Sequence, residues 1–155
     1  MKLIEERVIA VPPDIVWGSI LDAEVLKNCI PGCEELTGNL DDGFEAVVVQ
    51  KVGPVKATFK GAVFLRDIDP GKSCRLEGEG KGGAAGFAKG GALVHLEPEG
   101  DGTKLSYEVE AKVGGKLAQL GGRLIDSFAR KLADRFFSRF EEAAAERAQN
   151  GSRGS

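Results

Sequence analysis

The sequence predicts an α+β fold in which one curved antiparallel sheet wraps around a long C-terminal helix. Three observations support this prediction. Apolar and polar residues alternate with a period of two from about residue 44 to residue 113, which is typical of half-buried strands. Short turn sequences rich in Gly, Pro and Asp interrupt the alternation, as in an antiparallel meander. After Gly114 and Gly115 the apolar spacing becomes helical.

The N-terminal region predicts one strand and two small helices. Residues 3–11 alternate as a strand, and Pro12-Pro13-Asp14 then favours the start of a helix, because proline is tolerated in a first helical turn. A second helix is expected from Asp22, an N-cap residue type, to about Asn28. The sequence Ile30-Pro31-Gly32-Cys33 ends that helix.

The central region predicts six more strands, joined by short turns. Turn sequences such as Asp41-Asp42-Gly43, Gly53-Pro54 and Asp69-Pro70-Gly71 suit tight reversals of the chain. Strands that follow one another through such turns pair as antiparallel neighbours. The predicted strands cover residues 34–40, 44–52, 55–65, 74–81, 86–97 and 105–113.

The C-terminal region predicts one amphipathic helix from Lys116 to about Ala148. Its opposite face is charged, with i,i+4 pairs such as Asp126 and Arg130. We expect a single domain over residues 1–148 and a polar tail over residues 149–155 that is disordered or vector-derived. The apolar stripe of the helix consists of Leu117, Leu120, Leu124, Phe128, Leu132, Phe136 and Phe140.

Composition narrows the class of protein. The 155 residues include 24 acids and 21 bases, for a formal net charge of −3, which argues against nucleic acid as the main partner. No apolar run approaches the roughly 20 residues that span a bilayer, and the N-terminus shows no secretory signal. We therefore expect a cytoplasmic protein.

The chemistry-bearing residues are few. The three cysteines, Cys29, Cys33 and Cys74, form no metal-ligand pattern with the single histidine, His95, and we expect reduced structural thiols. His95 falls on the outward register of its strand, which favours a solvated side chain over a general base. No metal site is expected.

The inward register of the predicted sheet carries unusually small residues. A sheet that packs on a helix normally fills this space with Val, Ile and Leu. Two interpretations remain open: the glycines let the sheet bend so that the helix sits close, or a space remains for an apolar guest. The small inward residues are Ala57, Gly61, Gly78, Gly80, Gly86, Ala88, Gly90, Ala92 and Ala111.

Inward polar groups are limited to Gln50, Tyr107 and Cys74. Gln50 and Tyr107 either bind a carbonyl head group or each satisfy a backbone partner. No inward carboxylate pair is expected, so the inventory favours binding over catalysis. The glycine-rich residues 80–86 do not match a phosphate-binding loop, because a strand follows them. They predict either a mobile flap with Phe87 as a plug, or a plain hairpin.

Three segments resemble a known family. They are Ile30-Pro31-Gly32-Cys33, residues 76–90 with the sequence LEGEGKGGAAGFAKG, and residues 113–126 with the sequence VGGKLAQLGGRLID. Over about residues 1–145 the chain resembles the CoxG family of carbon monoxide dehydrogenase proteins, within the polyketide cyclase/START-like (SRPBCC) superfamily. The resemblance implies a helix-grip fold and work beside a molybdenum–flavin CO dehydrogenase, with peripheral contact at the inner face of the cell membrane.

The function that we expect is non-catalytic binding of a lipophilic molecule between sheet and helix. A dehydrogenase of this type passes electrons to the respiratory chain, so the expected ligand is an isoprenoid quinone, menaquinone or ubiquinone. Two alternatives stay open: a ligand-free adaptor that anchors the dehydrogenase at the membrane, and a small cyclase or hydrolase of the same superfamily. The candidate ligand-binding residues are Trp17, Gln50, Phe59, Gly61, Val63, Leu76, Phe87, Ala92, Tyr107, Leu124, Phe128 and Leu132.

Overall fold

The computed structural model describes residues 1–153, with side chains as far as Asn150. Within these residues the chain forms seven strands and four α-helices, and the predicted α+β fold is confirmed. A short 3-10 helix, Gly83–Ala85, lies between the fifth and sixth strands. The elements are β1 (Lys2–Ile9), α1 (Pro13–Ile20), α2 (Ala23–Cys29), β2 (Cys33–Asn39), β3 (Gly43–Val52), β4 (Val55–Asp69), β5 (Ser73–Lys81), β6 (Phe87–Glu99), β7 (Gly102–Gly114), α3 (Lys116–Gln119) and α4 (Gly122–Arg153).

The seven strands form one antiparallel sheet in the order β1-β7-β6-β5-β4-β3-β2. Strands β2 to β7 follow one another as a meander, whereas β1 pairs with β7. Helices α1 and α2 connect β1 at one edge of the sheet to β2 at the other. Helix α4 contacts both β1 and β3, on opposite sides of the sheet, so the sheet wraps around it.

The two small helices begin where the sequence predicts. Pro12 is the N-cap of α1, and Pro13 is its first helical residue. At α2 the Asp22 carboxylate accepts hydrogen bonds from the backbone N–H groups of Glu24 and Val25, at 3.0 and 3.3 Å. This cap satisfies two of the donors that a helix leaves without an internal partner at its N-terminus.

The C-terminal helix differs from the prediction at both ends. It does not run unbroken from Lys116, because α3 ends at Gln119 and α4 begins at Gly122. Gly121 between them has φ +88°, a left-handed conformation that ends a helix and that glycine adopts without steric cost. At the other end, helical backbone continues to Arg153, beyond the predicted end at Ala148, and residues 154–155 lie outside the described part of the chain.

Two separate apolar cores hold the sheet to the helices. The larger core joins α1, α2, the second half of α4 and the adjacent half of the sheet, around fully buried Phe140, Ile9 and Val16. The smaller core consists of Val52, Leu117 and Ile125, with further side chains packed on it. The inner face of the central strands lies between these cores, and most of its side chains are only half-buried.

Candidate functional site

The inner wall between the two cores is built from small residues in adjacent rows. Strand register aligns one row across β4 to β7 and a second row beside it. Large side chains are nearly absent from both rows, so the wall stands back from the helix. The first row is Gly61, Gly80, Ala88 and Val113, and the second is Val63, Gly78, Gly90 and Ala111.

Space remains between this wall and α4. A Cβ atom added at Gly80 would have no heavy atom within 4 Å. At Gly61 and Gly78 the atoms nearest to an added Cβ belong to the neighbouring strands rather than to the helix. Val63 on the wall is 36% exposed and Leu124 on α4 is 37% exposed. The sheet and helix therefore leave a cleft that the protein's own side chains do not fill.

Sheet bending accounts for a different glycine. At Gly90 an added Cβ would overlap the Glu110 carbonyl oxygen and lie against the Ala111 backbone, so only glycine permits this close approach of β6 and β7. The two interpretations of the small residues thus apply at different positions. Bending explains Gly90, and open space explains Gly80.

Aromatic side chains of α4 close the larger-core end of the cleft. Phe136 and Phe140 stack with centroids 5.7 Å apart, and Phe137 meets Phe136 edge-on at 5.0 Å. Phe137 also stacks on Tyr107 of β7 at 5.2 Å. These rings are core, which agrees with the expectation that an aromatic helix stripe packs rather than binds.

A polar cluster lies on the inner face beside these rings. The Tyr107 hydroxyl donates to the Glu5 carboxylate and accepts a hydrogen bond from Arg7 Nε at 3.2 Å. Arg7 Nη2 donates to Glu5 Oε2 at 2.9 Å and to Asp134 Oδ1 of α4 at 2.7 Å. The Arg7 guanidinium also lies 4.7 Å from the centroid of Phe137. We call Glu5, Arg7, Tyr107 and Asp134 the polar cluster.

Electrostatics keeps the polar cluster in one protonation state at neutral pH. Burial and the hydrogen bond to Glu5 raise the pKa of Tyr107 to about 12, although Arg7 acts in the opposite direction. Burial acts to lower the pKa of Arg7, but its hydrogen bonds to Asp134, Tyr107 and Glu5 raise it above the ordinary arginine value. The phenol therefore stays protonated and the guanidinium stays charged.

The polar cluster corrects the expected inventory of inward polar groups. Glu5 and Arg7 alternate with buried Leu3 and Ile9, so the period of β1 already carried the signal for their orientation. Asp134 comes to them only through the packing of α4. Two carboxylates thus face the sheet–helix interface, contrary to expectation, but Arg7 bridges them and they do not form an acid–base pair.

Gln50 and Tyr107 do not converge on one point. Gln50 Nε2 donates to the Pro31 carbonyl oxygen at 2.5 Å, so it satisfies a backbone partner and holds the α2–β2 loop. Tyr107 bonds to the side chains of Glu5 and Arg7 rather than to backbone. The predicted pairing of these residues as head-group ligands is wrong in its geometry for Gln50.

The remaining candidate residues fall into three places. Gly61, Val63 and Ala92 lie on the inner wall, and Leu124 and Leu132 face it from α4 without belonging to either core. Phe59 and Phe128 pack on the smaller core, and Trp17 and Leu76 pack on the larger one. The candidates thus include the wall of the cleft and both of its apolar ends.

Phe87 is not at the mouth of the cleft. It pairs with Gly114, and a Cβ at Gly114 would meet the Phe87 ring. Both residues alternate with inward Ala88 and Val113, so the ring lies on the outer face, where it is 43% exposed. The prediction that Phe87 plugs the cleft is wrong, because the tight turn at Gly86 (φ +115°) sets β6 in the opposite register.

The thiols and the histidine show no activation. Burial raises the pKa of Cys29, Cys33 and Cys74, which disfavours the nucleophilic thiolate. His95 is exposed on the outer face. Within residues 1–153 no group of His, Cys, Asp and Glu has a geometry suited to a metal ion, and no helix there is long and apolar enough to cross a membrane.

Solved structures with the same architecture come from several bacteria. A conserved protein from Geobacillus kaustophilus is 27% identical, with a TM-score of 0.88, and the match covers 94% of this chain and 96% of that one. An uncharacterized protein from Rhizobium leguminosarum is 18% identical with a TM-score of 0.72, covering 94% and 95% of the two chains. Protein TTHA0849 from Thermus thermophilus is 19% identical with a TM-score of 0.61, covering 98% and 99%.

These neighbours confirm the START-like fold. Among curated proteins, none matches this chain. The CoxG family, described as a subunit of carbon monoxide dehydrogenase, matches residues 6–145, which include every strand except the start of β1 and most of α4. The chain, with its open cleft between a small-residue wall and the terminal helix, belongs to the CoxG family of carbon monoxide dehydrogenase subunits.

Proposed function

We propose that this protein binds an isoprenoid quinone, menaquinone or ubiquinone, in the cleft between sheet and α4 without transforming it. The bound quinone would serve recruitment of, or electron delivery from, a molybdenum-containing CO dehydrogenase at the membrane. The observation that carries the proposal is the open space in front of Gly80, on a wall that lies between two separate apolar cores.

The lining suits an apolar tail. Gly80, Ala88 and Ala111 offer low-profile contact on the sheet, while Leu124 and Leu132 offer branched side chains from α4. Burial of about ten CH₂ groups contributes on the order of 8 kcal/mol, from which the cost of ordering the chain is subtracted. That range permits stable but reversible binding.

The polar cluster suits a carbonyl head group. The row that contains Tyr107 and Glu5 lies directly beside the row that contains Ala92 and Val109. Three hydrogen bonds occupy Nε and Nη2 of Arg7, and its Nη1 has no hydrogen-bond partner within residues 1–150. Since a guanidinium nitrogen donates and a quinone oxygen accepts, Arg7 Nη1 is the head-group donor in this proposal.

The same groups argue against turnover. A general acid or base needs a pKa near the working pH, whereas Tyr107 stays protonated and Arg7 stays charged. The thiols are poor nucleophiles for the reason given above. The family, named for a component of a larger enzyme, supports an accessory role.

Ligand content tests the proposal directly. Protein purified without detergent is extracted with organic solvent, and the extract is examined by mass spectrometry for quinones. We expect menaquinone or ubiquinone in the extract, or uptake of added quinone at about one molecule per chain. An extract without quinone, together with no uptake, would refute the proposal.

A cavity-filling variant makes the test specific. Gly80→Phe places a ring in the open space, and His95→Phe is the matched control on the outer face of β6. We expect uptake to fall at least tenfold in Gly80→Phe and to stay unchanged in His95→Phe. Gly61→Leu is less suitable, because its Cβ would lie 3.3 Å from the Glu79 carbonyl oxygen and strain the sheet.

The cavity-filling variant also addresses the ligand-free adaptor. If Gly80→Phe loses quinone but still captures the CO dehydrogenase in a pull-down as well as His95→Phe does, recruitment does not need the ligand. If capture and uptake fall together, the bound quinone takes part in recruitment.

A further inference from the structure

The charges of this chain are segregated along the sequence. Residues 46–61, 80–96 and 111–125 contain eight of the 21 basic residues and none of the 24 acidic ones. This distribution is hidden in the formal net charge of −3. The eight basic residues are Lys51, Lys56, Lys60, Lys81, Lys89, Lys112, Lys116 and Arg123, all exposed.

The fold brings the three segments together at one end of the molecule. They contain the β3–β4 hairpin, the β5–β6 connection and the β7–α4 connection, which the antiparallel order places at the same end of the sheet. Contacts join them: Gly53 lies under the Leu124 side chain, Gly82 lies under the Phe59 ring, and Gly86 meets Gly115. We call this end the basic end.

The positive charge of the basic end is largely uncompensated. Of its eight cationic side chains, Lys81 alone makes an ion pair within the described residues, with Glu79 at 3.7 Å. The turns at the other end of the sheet are acidic, with Asp41, Asp42, Asp69, Glu99 and Asp101 near their tips. The protein is therefore an electrical dipole with its positive pole at the basic end.

Apolar side chains lie among these lysines. Phe87 is 43% exposed on the outer face, in one row with Lys60 and Lys81. Leu124 is 37% exposed at the start of α4, one residue after Arg123. Aromatic and branched side chains beside lysines are the pattern of a surface that dips into a lipid interface while its amines reach the phosphates.

We infer that the basic end docks on an anionic lipid bilayer. The inference extends the proposed function and rests on it in one respect: a quinone would enter the cleft from the bilayer, and the cleft opens beside this end, next to Leu124. Lysines rather than forked arginines dominate the end, which suits diffuse attraction to a charged surface more than bidentate recognition of a protein carboxylate. The apolar tips Phe87 and Leu124 add contacts that phosphates alone do not need.

Vesicle binding tests the inference. Purified protein is sedimented with vesicles of phosphatidylglycerol and phosphatidylcholine, or of phosphatidylcholine alone, without added quinone. The test variant changes Lys56, Lys60, Lys81 and Lys89 to Gln. The control variant changes the same number of lysines outside the basic end, at Lys27, Lys72, Lys104 and Lys131, so both variants have the same net charge.

We expect binding to the anionic vesicles only. Each lysine near such a surface contributes about fivefold to the affinity, so the test variant is expected to lose several hundredfold and the control variant less than about tenfold. Binding of the wild type is also expected to weaken as salt rises. Circular dichroism of both variants verifies that the fold is intact.

Three results would overturn the inference: no binding of the wild type to anionic vesicles, equal binding to neutral ones, or equal losses in the two variants. If vesicles are not bound but the test variant fails to capture the CO dehydrogenase, the basic end is a protein interface instead. Quinone uptake measured without vesicles separates this inference from the proposed function, because either property can be lost while the other is retained.

Discussion

Ionisation of Tyr107 offers a direct test of the polar cluster. Tyr107 is the single tyrosine of the chain, so absorbance near 295 nm during an alkaline titration reports on this residue alone. Burial and the hydrogen bond to Glu5 raise its pKa to about 12 from an ordinary 10. We expect the native protein to titrate near pH 12, and the unfolded chain in urea to titrate near pH 10.

The same shift predicts how stability depends on pH. The raised pKa means that folding favours the protonated phenol, so this contribution is fully present below pH 10 and is lost as pH rises from 10 towards 12. Its size is on the order of 2–3 kcal/mol, because a pKa difference of one corresponds to about 1.4 kcal/mol. Urea denaturation at pH 9 and at pH 11.5 measures the loss.

Two variants identify the cause. Glu5→Gln removes the carboxylate that accepts the phenol proton, and we expect the native titration of Tyr107 to move to lower pH. Glu6→Gln changes a carboxylate on the outer face of the same strand, and we expect no change. A native midpoint near 10 in the wild type, or equal shifts in the two variants, would contradict the hydrogen-bonded arrangement of the cluster.

Three further changes test the packing around the site by urea denaturation. Arg7→Met leaves the Glu5 carboxylate without its cation, and we expect a loss of about 2 kcal/mol, against less than about 1 kcal/mol for Asp134→Asn, whose side chain is 67% exposed; equal losses would contradict the central place of Arg7. Gly121→Ala forces a side chain into the left-handed region and is expected to cost about 1–2 kcal/mol, whereas Gly122→Ala at the start of α4 costs nothing; similar values would refute the helix break. Thr103→Val removes the hydroxyl that donates to the Val11 carbonyl oxygen at 2.6 Å and is expected to cost about 1–3 kcal/mol; an unchanged midpoint would show that this buried bond is dispensable.

Local pattern predicted most of the architecture. The period-two alternation placed the strands within a few residues, and Asp22 marked the start of α2 as its capping bonds confirm. These features depend on neighbours in the sequence, which is why they are readable without coordinates. The break at Gly121 escaped prediction because an apolar stripe continues across it from Leu117 to Leu124, and periodicity alone does not reveal a left-handed residue.

The candidate site was predictable only in part. The small inward residues were visible as a pattern, but the pattern could not separate Gly90, where the strands approach closely, from Gly80, where nothing fills the space. That difference depends on the distance between α4 and the sheet. Phe87 was misplaced for a related reason, since the turn at Gly86 decides which face of β6 it occupies.

The alternation, the helix signals and the family resemblance were determined by the sequence alone, because each depends on residues a few positions apart. Tertiary structure decided the rest: that Asp134 reaches Arg7 across 127 positions, that a cleft stays open before Gly80, and that eight dispersed cations share one end. Such features depend on how a helix lies against a sheet, and that arrangement is set by the sum of many long-range contacts rather than by any local pattern.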